Sequence, residues 1–110
     1  MKTTNIVVMR TTTNYREIFC KRLKASRLAL GLLQRNLGIL AGIDEFVANA
    51  RINRYELGIH EADIQTAQYL AEVLDVPLGY FYADDQLAEM LLLFSRSSLQ
   101  IKEEVLDLAR

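Results

Sequence analysis

At 110 residues, 51% hydrophobic and 25% charged, the chain has the length of one domain and lacks the composition of a disordered segment. Its apolar runs fall well short of the ~20 residues that a membrane span needs, and Ile6–Met9 is shorter than the ~7–15 of a signal-peptide core, so a cytoplasmic protein without a membrane partner is expected. The net charge of −1 averages two unlike halves: residues 1–60 hold ten Lys/Arg against four Asp/Glu, and residues 61–110 hold three against ten. Such asymmetry implies a basic face for a polyanion and an acidic remainder. The single cysteine, Cys20, can form no internal disulfide and has no metal-ligand spacing around it, so neither metal nor cofactor is expected.

Residues 1–14, rich in Thr and Asn, read as a flexible arm or a short strand. Helical periodicity begins at Tyr15, with Phe19, Leu23 and Leu30 on one face and Lys21, Arg22 and Lys24 largely on the other, until Gly31 stops it. A second helix, about Gln34 to Ala41, buries Leu37 and Leu40 and stops at Gly42. Asp44 can cap a third, which runs through Arg51 to about Leu57 and ends at Gly58. Asp63 caps a fourth, where Ile64, Ala67, Leu70, Ala71 and Leu74 repeat at helical spacing before Val76-Pro77 breaks it. Pro77 suits the first turn of a short fifth helix through Tyr82, whose aromatic run Tyr80–Tyr82 reads as core and rim. Asp84 or Asp85 starts a sixth helix containing Leu87, Met90, Leu91 and Phe94. Ser97 and Gln100 form a capping-box pattern for a last helix with Ile101, Val105 and Leu108. No strand alternation persists, so the fold class is all-α.

Gln34 to Leu57 holds a short helix, a glycine turn and a second helix of about three turns, the arrangement of a helix-turn-helix. Gly38 lies inside the first of these helices, where glycine costs roughly 1 kcal/mol relative to alanine, and a close helix crossing is the natural compensation. By spacing alone, two ordinary packed helices fit as well. Further residues carry more information: Arg22-Leu23-Lys24-x-x-Arg27, Gly31-Leu32-x-Gln34, Leu37-x-x-Leu40-Ala41-Gly42-Ile43, Ile52-x-x-Tyr55-Glu56-x-Gly58, then Ala67 through Leu74-x-Val76-Pro77 and Phe81. In this order and near-shared spacing they closely resemble the Cro/cI-like (Xre) family of helix-turn-helix regulators over about residues 18–82. The resemblance implies a five-helix lambda-repressor-like domain over residues 15–83, followed by two C-terminal helices over 84–110, with the third helix in the DNA major groove. Two departures stand out. Leu33 occupies the place where the family usually has Ser or Thr, losing a cap worth about 1 kcal/mol. Glu56 lies thirteen positions after Ile43, four more than the family's usual pattern. Either the turn between the helices is longer, or the third helix gains a turn at its N-terminal end.

The resemblance also implies roles. Gln34, at the start of the second helix, meets a phosphate oxygen, with Arg35 beside it. Counting back from Glu56, the base-reading positions are Asn49, Ala50 and Arg54, with Arg51 and Asn53 nearby; Arg pairs with guanine and Asn with adenine. Arg27 and Glu56 match an internal ion pair joining the first helix to the third, and Arg27 also falls at the apolar face of its helix, so a partly buried salt bridge is expected. One recognition helix reads few base pairs, and a homodimer with half-sites about 34 Å apart is the family's solution. Met90, Leu91, Leu92 and Phe94, with Ile101, Val105 and Leu108, are expected to build its interface; the alternative is that both helices fold back on the domain. The functional expectation is a sequence-specific repressor on a palindromic operator in double-stranded DNA. The competing reading is an antitoxin-type or other interaction module, whose tail holds a protein partner and whose DNA binding is secondary. An enzyme is not expected: the chain has no glycine-rich phosphate loop and no Ser-His-Asp set, and His60 is its only histidine.

Overall fold

The computed structural model describes residues 14–110, so the arm read over residues 1–14 lies, apart from Asn14, outside the described residues. Every regular element there is helical: α1 Tyr15–Ala29, α2 Gln34–Leu40, α3 Glu45–Glu56, α4 Ile64–Leu74, a 3-10 turn Leu78–Phe81, α5 Asp85–Ser95 and α6 Leu99–Ala109. None of these helices is long and apolar enough to cross a membrane.

Side-chain oxygens start most of these helices by accepting orphan backbone N–H groups. The Asn14 side chain accepts from Arg16 and Glu17 at 3.1 and 3.2 Å, Asp63 from Thr66 at 2.7 Å, and Asp84 from Leu87 at 2.9 Å. The two helices of the helix-turn-helix lack this help. Leu33 has no capping group, and Asp44 stands at the cap of α3 without accepting a capping bond. At α6 the cap is Ser98, which accepts from Ile101 at 3.2 Å, one residue later than the Ser97 pattern implied. The Ser97 hydroxyl instead donates to the Leu93 carbonyl at 2.6 Å and closes α5.

The C-terminal ends repeat one device. At the end of α2, Ile43 N–H bonds the Gly38 carbonyl at 2.9 Å and Gly42 N–H bonds that of Ile39 at 3.0 Å, with Gly42 at φ +91°. This Schellman closure reverses the chain within a few residues and aims α3 across α2.

Packing follows from the inward lines of the helices. Phe19 and Leu23 of α1, Leu37 and Ala41 around α2, Ile52 and Tyr55 of α3, and Ala67, Leu70, Ala71 and Leu74 of α4 form one core with Val76 and Phe81. Three leucine and isoleucine positions read as inward are exposed: Leu30, Leu40 and Ile64. Leu30 is the cap residue beyond α1, Ile64 opens α4, and α2 turns Leu37, Gly38 and Ala41 inward, which leaves Leu40 on its flank. The short fifth helix is a 3-10 turn with Pro77 at its cap rather than in its first turn. It buries Phe81 against Phe19, ring centroids 4.9 Å apart, with Tyr82 5.6 Å from the same ring.

The two C-terminal helices attach differently. α5 buries Ala88 and lays Leu92 against the core. Arg22 of α1 fastens its start, donating to the Ala83 carbonyl at 2.6 Å and to Asp85 at 3.2 Å, with its guanidinium 5.2 Å from the Tyr80 ring centre. α6 buries no residue at all.

The approach of α2 to α3 leaves no room for a side chain at Gly38. A Cβ on Gly38 would lie 2.8 Å from the Ala48 Cβ and 3.1 Å from its Cα and carbonyl oxygen. Helix propensity alone would make Gly38→Ala stabilising by roughly 1 kcal/mol. Neither Ala48 nor its backbone can move aside cheaply, so Gly38→Ala is expected to destabilise the fold by about 1–3 kcal/mol in urea unfolding. A variant more stable than the parent would show that the crossing does not need the glycine.

Candidate nucleic-acid interface

α3 is amphipathic in an uneven way. Ala48, Ile52, Tyr55 and Glu56 are buried, while Phe46, Asn49, Ala50, Arg51, Asn53 and Arg54 are all exposed. Its apolar contact is therefore narrow, and the helix needs other fasteners to hold its polar side at a fixed angle. One is the Gly38–Ala48 approach at its N-terminal half. The other is Glu56 at its C-terminal end, where Arg27 Nε meets Oε2 at 2.6 Å and Nη2 meets Oε1 at 2.9 Å. The two side chains are 10% and 3% exposed, and Arg27 Nη1 also donates to the Leu32 carbonyl at 2.9 Å. Hydrogen bonding to Glu56 raises the Arg27 pKa further above its ordinary value, against the opposing effect of burial.

Gln34 joins this network. Its amide nitrogen donates to Glu56 at 3.1 Å and to Asn53 at 3.2 Å, so the glutamine links α2 to α3 in the free protein. Arg35 bridges the same two helices through an exposed 3.3 Å pair with Glu45. Asn49, Ala50, Asn53 and Arg54 point outward. The Thr66 backbone N–H is the main cause that holds the Asp63 carboxyl below its ordinary range, and the charge of exposed Arg51 adds a smaller contribution.

The four additional residues between Ile43 and Glu56 lengthen α3 rather than the turn. Only Ala41–Asp44 separate α2 from α3, and α3 is twelve residues long. A turn of that length is normal for the motif. The surplus is therefore one helical turn at the N-terminal end of α3, the end away from the Arg27 anchor.

The basic surplus of the first half is largely paired. Arg27 is internal, and Arg16, Lys21, Arg22 and Arg35 pair with Glu61, Glu17, Asp85 and Glu45. Among the described residues, Lys24, Arg51 and Arg54 of that half carry no such partner, and two of these three lie on α3. Two residues escaped the sequence reading. Arg22 falls by spacing on the polar side of α1, and nothing in the local pattern marks it as the clasp of α5. Phe46 is an apolar residue on the outward side of α3, a position that helical spacing from Ala50 and Asn53 could have revealed. His60 is exposed, Cys20 is half-buried with its thiol on the Glu17 carbonyl, and no cluster among the described residues could hold a metal ion.

The helices expected to dimerise divide by position. Leu92 is half-buried against the core, Leu91 lies against the 3-10 turn at Gly79, and Phe94 is half-buried with Lys102 over its ring. Met90, Leu93, Ile101, Val105, Leu106 and Leu108 face solvent.

A helix-turn-helix family model matches residues 23–81, spanning α1 from Leu23 to the end of the 3-10 turn. The chain belongs to the Cro/cI-type helix-turn-helix family. Among solved structures, it is similar to the transcriptional regulator BswR, with a TM-score of 0.76 and 42% identity over 82% of this chain and 90% of that one. No curated protein matches it significantly. The protein is thus a DNA-binding transcriptional regulator of helix-turn-helix type, and α3 is the second helix of its motif.

Removing one partner of a buried ion pair strands the other charge, at a cost of about 3–5 kcal/mol. Glu56→Ala is expected to lose that much stability in chemical denaturation. The Arg27→Ala, Glu56→Ala double variant should lose less than the two single losses combined. Strict additivity would mean that the two groups act independently and that the contact contributes nothing.

Proposed function

We propose that this regulator is a repressor that binds a palindromic operator as a homodimer, with α3 of each copy in the major groove. The observation that carries the reading is the outward side of α3, where Asn49, Ala50, Asn53 and Arg54 stand free of the protein's own core. Arg54 and the two asparagines carry the donors and acceptors that pair with guanine and adenine edges. Gln34 and Arg35, at the start of α2, serve the phosphate backbone. Gln34 does so by exchanging its bond to exposed Asn53 for a phosphate oxygen, and Arg35 by releasing Glu45. An exposed ion pair such as Arg35–Glu45 is worth little, so its exchange is inexpensive. The protein works in the cytoplasm by occupancy, not catalysis, excluding polymerase from the bound site.

Dimerisation is assigned to α6 together with the outward side of α5. An isolated helix shorter than ~12–15 residues is marginal in water, and α6 has eleven residues with none buried. Ile101, Val105 and Leu108 nevertheless form an exposed apolar stripe at helical spacing, and Met90 and Leu93 are exposed on α5. A second copy of the chain covers that stripe and brings two α3 helices to one duplex. The same stripe is what a tail-bound protein partner would use under the interaction-module reading, and stoichiometric copurification of a second protein would favour that reading.

Selection from random-sequence DNA tests the assignment of α3. The intact protein is expected to enrich an inverted repeat, and Arg54→Ala to keep its melting temperature while losing preference at one position of each half-site. An unchanged sequence profile removes Arg54 from the reading set. For the dimer, Ile101→Asp with Val105→Asp should yield a folded monomer by analytical ultracentrifugation, with operator affinity down at least tenfold. A dimer of undiminished strength sinks the α6 interface.

A further inference from the structure

Phe46 is 88% exposed, the most exposed of the large apolar side chains among the described residues. It lies in the first turn of α3, four residues before Ala50 and seven before Asn53, and at that spacing it shares their outward stripe. It also sits on the additional turn, at the end of α3 farthest from the Arg27–Glu56 anchor. α3 packs mainly on α2 and α1, so Phe46 is not part of the apolar surface of α5 and α6.

We propose that Phe46 is a specificity-determining residue that packs its ring against the C5-methyl group of a thymine in each half-site. The inference rests on the reading of α3 as the groove helix. The N-terminal residues of such a helix are the ones that reach base edges. In the major groove, the thymine methyl is the apolar feature that a base edge presents, and it lies beside polar acceptors. The leading end of α3 has matching chemistry: an apolar ring at the tip, small Ala50 behind it, and Asn49 and Asn53 alongside. Burying a ring that water otherwise surrounds gives the contact its free energy, and the added turn gives it its reach.

The test compares wild-type protein with Phe46→Ala on duplexes selected from random-sequence DNA. Because Phe46 touches almost nothing in the free protein, the variant should melt with the parent. Wild type is expected to enrich a symmetric thymine that Phe46→Ala no longer prefers. Replacing that thymine by uracil in one half-site, which removes only the methyl, should weaken wild-type binding about four-fold, the value of one buried methyl-sized group, and leave the variant unaffected. Identical base preferences, or equal sensitivity to uracil, would overturn the assignment. So would a Phe46→Ala protein that changes self-association while its base preference stays put, since the ring would then face another protein copy. Arg54→Ala, measured in parallel, separates the two claims. If it alters preference while Phe46→Ala does not, α3 still reads DNA and only Phe46 is misassigned. If wild type enriches no sequence, both claims fall.

Discussion

Glu56 closes α3 at the negative end of the helix dipole, where a carboxylate is least welcome, and its side chain is almost wholly withdrawn from water. It is tolerated there because Arg27 meets it with two parallel hydrogen bonds, while the remaining guanidinium nitrogen holds the Leu32 carbonyl and Gln34 donates to the same carboxylate. Four pieces of chain therefore converge on one ion pair: α1, the turn after it, α2 and α3. An apolar pair of equal volume could match the stability of such a bridge. It would not fix an angle, because only the paired, planar geometry of guanidinium and carboxylate is directional. For a helix with a narrow apolar face, that angle decides where its polar side points.

The second fastener is steric. Gly38 lets the backbone of α2 come within contact of Ala48, so the N-terminal half of α3 is held by absence of bulk and its C-terminal end by charge. These two constraints explain why α2 and α3 manage without side-chain caps at their N-termini. Tertiary packing supplies what local capping does not. The first side chains of α3, from Glu45 to Val47, are exposed to solvent.

The architecture was legible in the sequence wherever one residue type has one physical job. Glycines after α1, α2 and α3 marked their ends, Asp63 and Asp84 marked starts, and a charge at the apolar face of α1 pointed to a buried partner that the fold supplies in Glu56. Legibility failed at helix ends and between neighbouring serines. Leu30, Leu40 and Ile64 have the right spacing for burial but stand where the chain is already turning away, which periodicity does not register. Ser97 and Ser98 differ only in which helix each serves, and that depends on where α5 stops. Arg22 is the harder case: its acceptors lie more than sixty residues away, and no local pattern encodes them. The overall charge asymmetry also overstated the basic face, because acidic residues of the second half, Glu61 and Asp85, neutralise basic residues of the first.

The place of the additional turn follows from the same constraints. Four residues advance a helix by about 400°, which returns the chain to within about 40° of its starting face. An insertion of that length leaves Ala48, Ile52 and Tyr55 on the core side, whereas two residues, about 200°, would have turned a polar face inward. It also has only one free end to occupy, because Arg27 pins the other. At twelve residues α3 is about 18 Å long, more than the ~12 Å width of a major groove, so in the proposed placement it runs along the groove and not straight across it. Length gained at the N-terminal end thus extends the exposed side of α3 while the core, the glycine crossing and the ion pair stay as they are. The outward side of α3 can be rebuilt from its N-terminal edge without disturbing what holds the helix.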